Sequence, residues 1–393
     1  MKEDRQLRIC VVGAGTRFLG GISYYTLHLV NALASNCTVS AIVMRQLLPT
    51  RLYPGHRRVG TITTQLAYDS RARVFDGVDW YWLPSMLRAL LFLRRERPDI
   101  VTFQWWSATV LHSYLLLALA ARLLHARVVI EFHEVLDPGE ATLPLVSTYV
   151  RLLAPLLLGL AHGYVVHSEH DRKLLTRAYR LGPRPVALIG HGPYASYAAG
   201  TKPQAQQFEE SSPACLAGDC KLLFFGLIRP YKGLEDLIRA FNALPASEIE
   251  GYRLIVVGET WEGCTQPATL IEQSPYRERI TFVNRYVADN EVAGFFAAAD
   301  AAILPYRRAS SSGALHIAMS CGLPVVVTRV GGLVEAVAEY EGTIIVPPGD
   351  VEALRDALRK VAQLRGRRYR DPHSWDRTVD GYMALIAELR SNL

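Results

Sequence analysis

Two runs of alternating strand and helix patterns, separated by one stretch with no hydrophobic periodicity, constrain this chain more than any other feature. The first run opens at Arg8 to Gly15 (RICVVGAG), a β-branched strand entering a glycine-rich turn, and continues as a helical pattern over 18–34 with apolar residues at Ile22, Leu29, Val30 and Leu33. Further strands are expected at Thr38 to Met44, Ile100 to Phe103, Arg127 to Phe132, Gly163 to Val166 and Pro185 to Ile189. The second run has strand patterns at 221–226, Tyr252 to Gly258, Ile280 to Val283, Ala301 to Leu304, Pro324 to Thr328 and Thr343 to Val346. Helical spacing falls between them at 234–243, 289–299, 313–319 and 351–364. Strands joined through helices pair in parallel, with right-handed crossovers. Each run therefore predicts a doubly wound sheet, whose ligands bind outside the carboxyl ends of the strands.

A chain of 393 residues is too long for one ordinary core and suits two domains of roughly 200 residues each. The expected division is a first domain over 1–195, a linker over 196–219 rich in Gln, Ser, Ala and Glu, and a second domain over 220–371. A final helix, 374–393, carries Trp375, Tyr382, Met383, Ile386 and Leu389 at helical spacing and is a candidate to pack back on the first domain. The fold class is α/β, with two Rossmann-like domains facing across a cleft that grips a ligand.

Half of the residues are hydrophobic and a fifth are charged, which excludes a disordered or fibrous chain. Six cysteines without CxxC spacing offer no metal-ligand pattern and fit a reducing, cytoplasmic compartment. The opening MKEDRQLR has no small-residue cleavage site and does not resemble a signal peptide. The net charge of +6 is Arg-rich and uneven, with clusters at Arg94, Arg95 and Arg97 and at Arg365, Arg367, Arg368 and Arg370. Charge alone does not choose between solvated faces and an acidic partner, and no nucleic-acid partner is expected. The apolar runs 110–124 and 150–160 fall short of a membrane span and read as core helices. Leu87 to Arg97 (LRALLFLRRER) is leucine on one side and arginine on the other, which fits a plain surface helix or one lying on an anionic bilayer.

Chemistry-bearing residues gather at the strand ends. Arg229 and Lys232 follow the strand 221–226 in a turn punctuated by Gly226, Pro230 and Gly233, just ahead of a helix. Two cations there suit a diphosphate, because Arg engages two oxygens at once and a helix start favours an anion; solvated loop cations are the alternative. Gly258, Glu259 and Glu262 follow the next strand, where a nucleotide base or ribose could lie; plain loop acids are the alternative for the two glutamates. Ser311, Ser312 and Gly313 begin a helix and suit a phosphate or sugar oxygen, or simply cap it. In the first run the glycines at 13, 15, 20 and 21 miss the GxGxxG dinucleotide fingerprint, and Gly20 and Gly21 read as a close-approach loop for a ligand. Gln104, Trp105 and Trp106, then His133 and Glu134, then His167, Ser168 and Glu169, and finally His191 follow successive strands and should converge on one sheet edge.

The segments GLIRPYKG (226–233), VVGETWEG (256–263), ADAAILPYR (299–307), SSGALHIAMSCGLPVVVTRVGGLVEAV (311–337) and IIVPPGDVEAL (344–354), with LGGIS (19–23) and EFHE (131–134), together resemble a GT-B-fold glycosyltransferase of the large retaining group called family 4 or "glycosyl transferases group 1". The resemblance spans most of the chain. It implies a sugar nucleotide bound mainly by the second domain, its diphosphate at Arg229 and Lys232, with Gly20 and Gly21 facing it from the first domain. It also implies donor contacts around Gly226, Gly258, Glu259, Tyr306, Ser311, Ser312 and Gly313, and places His133 beside the donor sugar. No metal or other cofactor is implied. Two departures stand out. The group's Glu-x7-Glu becomes Ala309 and Ile317, in a loop reading YRRASSSG, and the arginine that often follows the glycine is Leu227. The chain thus resembles a branch lacking Glu-x7-Glu.

The function this implies is retaining transfer of a hexose-type sugar from a nucleotide diphosphate sugar to a saccharide or lipid-linked acceptor held by the first domain. Absence of an evident carboxylate pair suits transfer better than hydrolysis. Trp105 and Trp106 could stack on the acceptor or pack in the core. Apolar, Arg-rich helices fit peripheral membrane contact on the cytoplasmic face and a role in polysaccharide or glycolipid biosynthesis. A phosphorylase of the pyridoxal kind lacks its lysine segment here. The alternative is a non-catalytic sugar-nucleotide-binding or partner subunit of the same fold.

Overall fold

A computed structural model of the chain describes residues 6–16, 21–46, 67–79, 83–135, 144–198, 218–261 and 263–391. They form two compact units, Met1–Gly192 with His373–Leu393, and Pro193–Pro372.

The first unit is built on seven strands, β1 (Arg8–Ala14), β2 (Thr38–Gln46), β3 (Arg73–Asp79), β4 (Ile100–Trp105), β5 (Arg127–Phe132), β6 (Gly163–Val166) and β7 (Val186–Leu188). They lie in the order β3-β2-β1-β4-β5-β6-β7 with every pairing parallel. Runs such as CVV in β1 and VVI in β5 are buried because both faces of the sheet are covered. The order reverses between β1 and β4, the point at which sheets of this kind bind ligands outside the carboxyl ends of their strands.

One face carries α1 (Gly21–Leu33) and α13 (Trp375–Ser391), whose Tyr25, Leu29, Val30 and Leu33 share a core with Val379, Tyr382, Leu385, Ile386 and Leu389. The C-terminal helix therefore completes the first unit. The other face carries α2 (Leu83–Glu96), α3 (Leu111–Leu123) and α4 (Pro144–Leu160), followed by α5 (Glu169–Ala178), whose first turn is capped by the Ser168 hydroxyl accepting from the Asp171 amide. The two apolar runs expected as core helices prove amphipathic in a different sense. Tyr114, Leu117, Ala118 and Ala121 of α3 and Ala154, Leu157 and Leu158 of α4 are buried, but the outward leucines of both helices are exposed. A helix lying on one side of a sheet finds a partner for one face only. Among the described residues no helix is long and apolar enough to cross a membrane.

The second unit has six parallel strands, β8 (Cys220–Phe225), β9 (Tyr252–Val257), β10 (Ile280–Val283), β11 (Ala301–Leu304), β12 (Val325–Thr328) and β13 (Thr343–Val346), in the order β10-β9-β8-β11-β12-β13. Its helices are α6 (Ala195–Ala198), α7 (Leu234–Asn242), α8 (Gln266–Glu272), α9 (Asp289–Ala298), α10 (Gly313–Ser320), α11 (Leu333–Ala336) and α12 (Val351–Ala362). Leu234, Leu237, Ile238 and Phe241 of α7 are all buried, as their 3.6-residue spacing requires. Here the order reverses between β8 and β11. The second unit begins at Pro193 because the Tyr194 amide donates to Ser320 Oγ at 2.9 Å and α6 packs on α10. Most of the expected linker, 199–217, lies outside the described residues.

Candidate functional site

In the first unit the strand ends converge on a buried carboxylate. Glu131 sits near the end of β5 with no exposed surface, and the Tyr25 hydroxyl from α1 donates to its Oε1 at 2.6 Å. The Gln104 amide, from β4, donates to Oε2 at 3.1 Å and is itself oriented by the Thr26 hydroxyl. A Cβ added at Gly13 would meet Gln104 Oε1 at 2.2 Å, so this glycine makes room for the carboxylate's partner. Two histidines approach the same carboxylate, His133 Nε2 at 3.6 Å from Oε2 and His167 Nε2 at 3.7 Å from Oε1. Both Nε2 atoms are buried without a hydrogen-bond partner. His167 donates through Nδ1 to the Ile189 carbonyl at 3.0 Å, which fixes how its ring is presented. Tyr25 is the hub of this cluster: its ring centroid lies 4.5 Å from those of His133 and His191, 5.3 Å from His167 and 5.4 Å from Trp375.

Burial alone would raise the Glu131 carboxyl. The nearby imidazoles of His133 and His167 and the Tyr25 hydroxyl outweigh it and hold the group at about 2. Burial lowers His133, a shift that Glu131 only partly offsets. Glu131, His133 and His167 each bring one ligand atom to within 4.8 Å of the others, a residue set whose chemistry suits a transition metal.

Trp105 is a core residue, 4% exposed and stacked on Phe132 with centroids 5.2 Å apart, so it cannot stack on an acceptor. Trp106 is partly buried against the same core. Gly21 opens α1 and is exposed, while Gly20 and Glu262 lie outside the described residues.

In the second unit, the chain leaving β8 and the chain leaving β9 lock together. The Ile228 amide donates to the Glu259 carbonyl at 2.9 Å and the Trp261 amide to the Ile228 carbonyl at 3.0 Å. Gly226 and Gly258 permit this approach: a Cβ on Gly258 would fall 2.0 Å from the Gly226 carbonyl oxygen. The pairing lays the Arg229 guanidinium over the Trp261 ring, 3.8 Å from its centroid, with Nε making no hydrogen bond. Arg229 then precedes a single 3-10 turn, Pro230–Lys232, and Gly233 with φ of 63° starts α7. Lys232 Nζ lies over Gly226 and 5.4 Å from the Tyr306 ring centroid. Burial presses the Lys232 ammonium below its ordinary value; Tyr231 opposes part of that shift, and the neighbouring Arg229 charge adds a smaller lowering. Among the described residues neither Arg229 nor Lys232 forms an ion pair. The nearby Arg307 does the opposite, engaging Asp236 with two bonds of 2.8 and 2.9 Å and donating its amide to the Tyr231 carbonyl at 2.7 Å. Arg307 thereby anchors the turn that carries the free cations.

Around the next loop, Ser312 caps α10 by accepting from the Leu315 amide and meets the Tyr306 hydroxyl at 3.2 Å. Tyr306 is buried, Ser311 and Gly313 partly exposed. The sequence left open whether Ser312 binds an anion or caps a helix; its hydroxyl is engaged in capping.

Two family descriptions match the chain, "Glycosyltransferase Family 4" over residues 19–193 and "Glycosyl transferases group 1" over 219–363. The chain belongs to glycosyltransferase family 4. Similar members include a D-inositol 3-phosphate glycosyltransferase of Saccharomonospora viridis, 28% identical over 244 residues, and the O-antigen chain mannosyltransferase B of Escherichia coli, 28% identical over 177 residues. The first match covers 58% of this chain and 56% of the relative, the second 42% and 45%. This family 4 chain thus spans about half the length of the curated relatives it matches. Its fold is that of sucrose-phosphate synthase from Thermosynechococcus elongatus (TM-score 0.68, 17% identity, 98% of both chains) and of Anabaena HepE in complex with UDP-glucose (TM-score 0.65, 17% identity, 98% of this chain and 100% of that one). Ala309 and Ile317, the positions where the resemblance would put two acids, both have buried side chains.

Proposed function

We propose that this chain is a retaining glycosyltransferase that moves a hexose-type sugar from a nucleotide diphosphate sugar to a saccharide or lipid-linked acceptor. The observation that carries the reading is the pair Arg229 and Lys232: two cations at the switch point of the second unit's sheet, positioned by aromatic rings and glycine backbone and, among the described residues, without a carboxylate partner. Charges held this way remain available to a diphosphate. The bond from the anomeric carbon to the diphosphate oxygen breaks, a bond from the acceptor hydroxyl oxygen forms on the same face, and the acceptor's proton passes to the departing phosphate oxygen. Lys232 and Arg229 stabilise the charge growing on that leaving group, which is where fixed donors contribute most. With two cations in this role, the reaction proceeds without a metal.

In the first unit His133 is the residue we assign to the chemistry of the sugar, with Glu131 and Tyr25 packed around its ring. Glu131 does not serve as an attacking carboxylate, because it is buried and bonded to Tyr25 and Gln104. That relatives are named for transfer to an inositol phosphate and to an O-antigen chain, and that a neighbour of the same fold is complexed with UDP-glucose, supports an acceptor of saccharide type and a nucleotide sugar donor. The first unit is also the one that makes peripheral contact with the membrane.

Single-turnover assays with UDP, GDP and ADP sugars test this, with the anomeric configuration of donor and product read by NMR. Transfer or slow hydrolysis with retained configuration is expected. Tight nucleotide-sugar binding with no turnover on any of them would instead favour a non-catalytic binding subunit, a reading that Ala309 and Ile317 in place of two acids would then explain.

A further inference from the structure

Ten large hydrophobic side chains are exposed among the described residues, and nine of them lie on three helices of the first unit: Leu83, Leu87 and Leu91 on α2, Leu116, Leu119 and Leu123 on α3, and Leu145, Leu152 and Leu156 on α4. Their exposures run from 48 to 87%. Exposed leucines scattered singly need no explanation, but a contiguous face of them does. Each helix presents its set as one stripe, spaced i, i+4, i+8 on α2, i, i+3, i+7 on α3 and i, i+7, i+11 on α4, opposite the residues that pack on the sheet. The helices are also neighbours, with α3 between α2 and α4 in a single layer over one sheet face. The three stripes therefore share the outer surface of that layer.

Among the described residues, the exposed charge on these three helices has one sign. Arg88, Arg94, Arg95, Arg122 and Arg151 are exposed on them, and α3 and α4 contain no acidic residue. The single acid of α2, Glu96, is held by Arg73 from β3. None of Arg88, Arg94, Arg95 and Arg151 pairs with a carboxylate among the described residues, and Arg122 contacts a histidine, His162, instead. A protein partner that buried nine leucines would ordinarily bring acids to meet five arginines at defined places. A bilayer does so without defined places, because anionic headgroups diffuse to the cations while the leucines enter the acyl boundary.

We propose that the outer face of α2, α3 and α4 docks the first unit on an anionic lipid bilayer, with the leucine stripes inserted at the headgroup boundary and the arginines on lipid phosphates. This deepens the peripheral membrane contact stated above by assigning its surface and lipid class, but it stands on that surface alone and not on the donor half-site. The amphipathic sequence Leu87 to Arg97 is one third of the face; the other two thirds come from the runs whose inner sides are core.

The test is co-sedimentation of the full chain with vesicles of phosphatidylcholine alone and of phosphatidylcholine mixed with phosphatidylglycerol. Binding is expected to the mixed vesicles, weakening as salt rises. The triple variant Leu87→Asp, Leu119→Asp, Leu152→Asp should lose binding by roughly a hundredfold or more. Arg88→Glu with Arg151→Glu should remove the preference for anionic lipid. All five positions are exposed, so melting temperature and UDP affinity should stay at wild-type values, which separates lost docking from misfolding. Lys232→Ala should bind vesicles as the wild type does, so a failed transferase assay leaves this inference standing. Wild-type protein that stays in the supernatant with every vesicle would overturn it. So would leucine variants that still sediment, or that turn a dimer into a monomer without changing vesicle binding, since the face would then be covered by a second copy.

Discussion

A Cβ built on Gly226 would lie 2.7 Å from Lys232 Nζ, closer than any real carbon contact, so the ammonium occupies space that only glycine at 226 leaves open. Gly226 also has φ of 117°, a region L side chains rarely adopt. Gly226→Ala should therefore cost about 1–3 kcal/mol of stability from backbone strain and displace the ammonium as well. The expected result is a lower melting temperature together with a weaker nucleotide diphosphate. Unchanged affinity in a folded variant would show that Lys232 does not act from this position.

Trp261→Ala removes the ring that holds Arg229 and nothing else that binds phosphate. A cation–π contact of this kind contributes roughly 0.5–2 kcal/mol. Donor affinity, read by calorimetry, should fall by about 2- to 30-fold, because a guanidinium freed from its platform must be ordered again by the ligand. Trp261→Phe should recover much of the loss. Equal affinities in all three proteins would mean that the stacking is decorative.

In the first unit, Tyr25→Phe takes the 2.6 Å hydrogen bond from a fully buried carboxylate. Leaving Glu131 short of a partner should destabilise the protein by about 1–3 kcal/mol, measurable by urea denaturation. If His133 acts on the sugar, turnover should drop beyond what the stability change explains, with the donor KM little altered. A variant as stable and as active as the wild type would remove Glu131 and Tyr25 from the account of His133.

Acid should destabilise the first unit by a route that the histidines dictate. Burial holds His133 below its ordinary value and takes His28 from 6.5 to about 4. Such groups bind protons more tightly when unfolded. Their contribution is therefore fully present above the unfolded value near 6.5 and is lost as pH falls from there toward about 4. The melting temperature should decline across that window, and His28→Gln should make the decline shallower. A flat profile would contradict the burial argument.

Much of this was legible beforehand. Strand-helix alternation, with β-branched runs bounded by glycine, located twelve of the thirteen strands, and the turn carrying Arg229 and Lys232 stood out because cations rarely follow an apolar run without a reason. β3 was missed: RVFDGVD carries Asp76 and Gly77 and lies at the sheet edge, where only one neighbour constrains it. Tyr25 was missed because a tyrosine at helical spacing looks like any core aromatic, and only the fold brings Glu131 to its hydroxyl. The signal that was present is Glu131 itself, an acid inside the apolar strand RVVIEF, which must find partners if it is buried. The outward leucines of α3 and α4 were hidden for the reverse reason. A leucine-rich run looks the same whether one face or both are covered, and burial is decided by the sheet.

Metal independence is a separate expectation. Protein treated with EDTA and then freed of it should turn over at the untreated rate. Loss of activity restored by a divalent ion would contradict the mechanism and direct attention to Glu131, His133 and His167, the residues whose ligand atoms stand close enough to share one.

The most direct measurement of the central claim is the affinity difference between a nucleoside diphosphate and its monophosphate, in the wild type and in the double variant Arg229→Ala, Lys232→Ala. If these two cations clamp the diphosphate, the wild type should prefer UDP, or whichever of UDP, GDP and ADP binds tightest, over the corresponding monophosphate by about tenfold or more. That preference should collapse in the double variant while the monophosphate's own affinity changes much less. A preference that survives the loss of both side chains would place the diphosphate elsewhere and contradict the account.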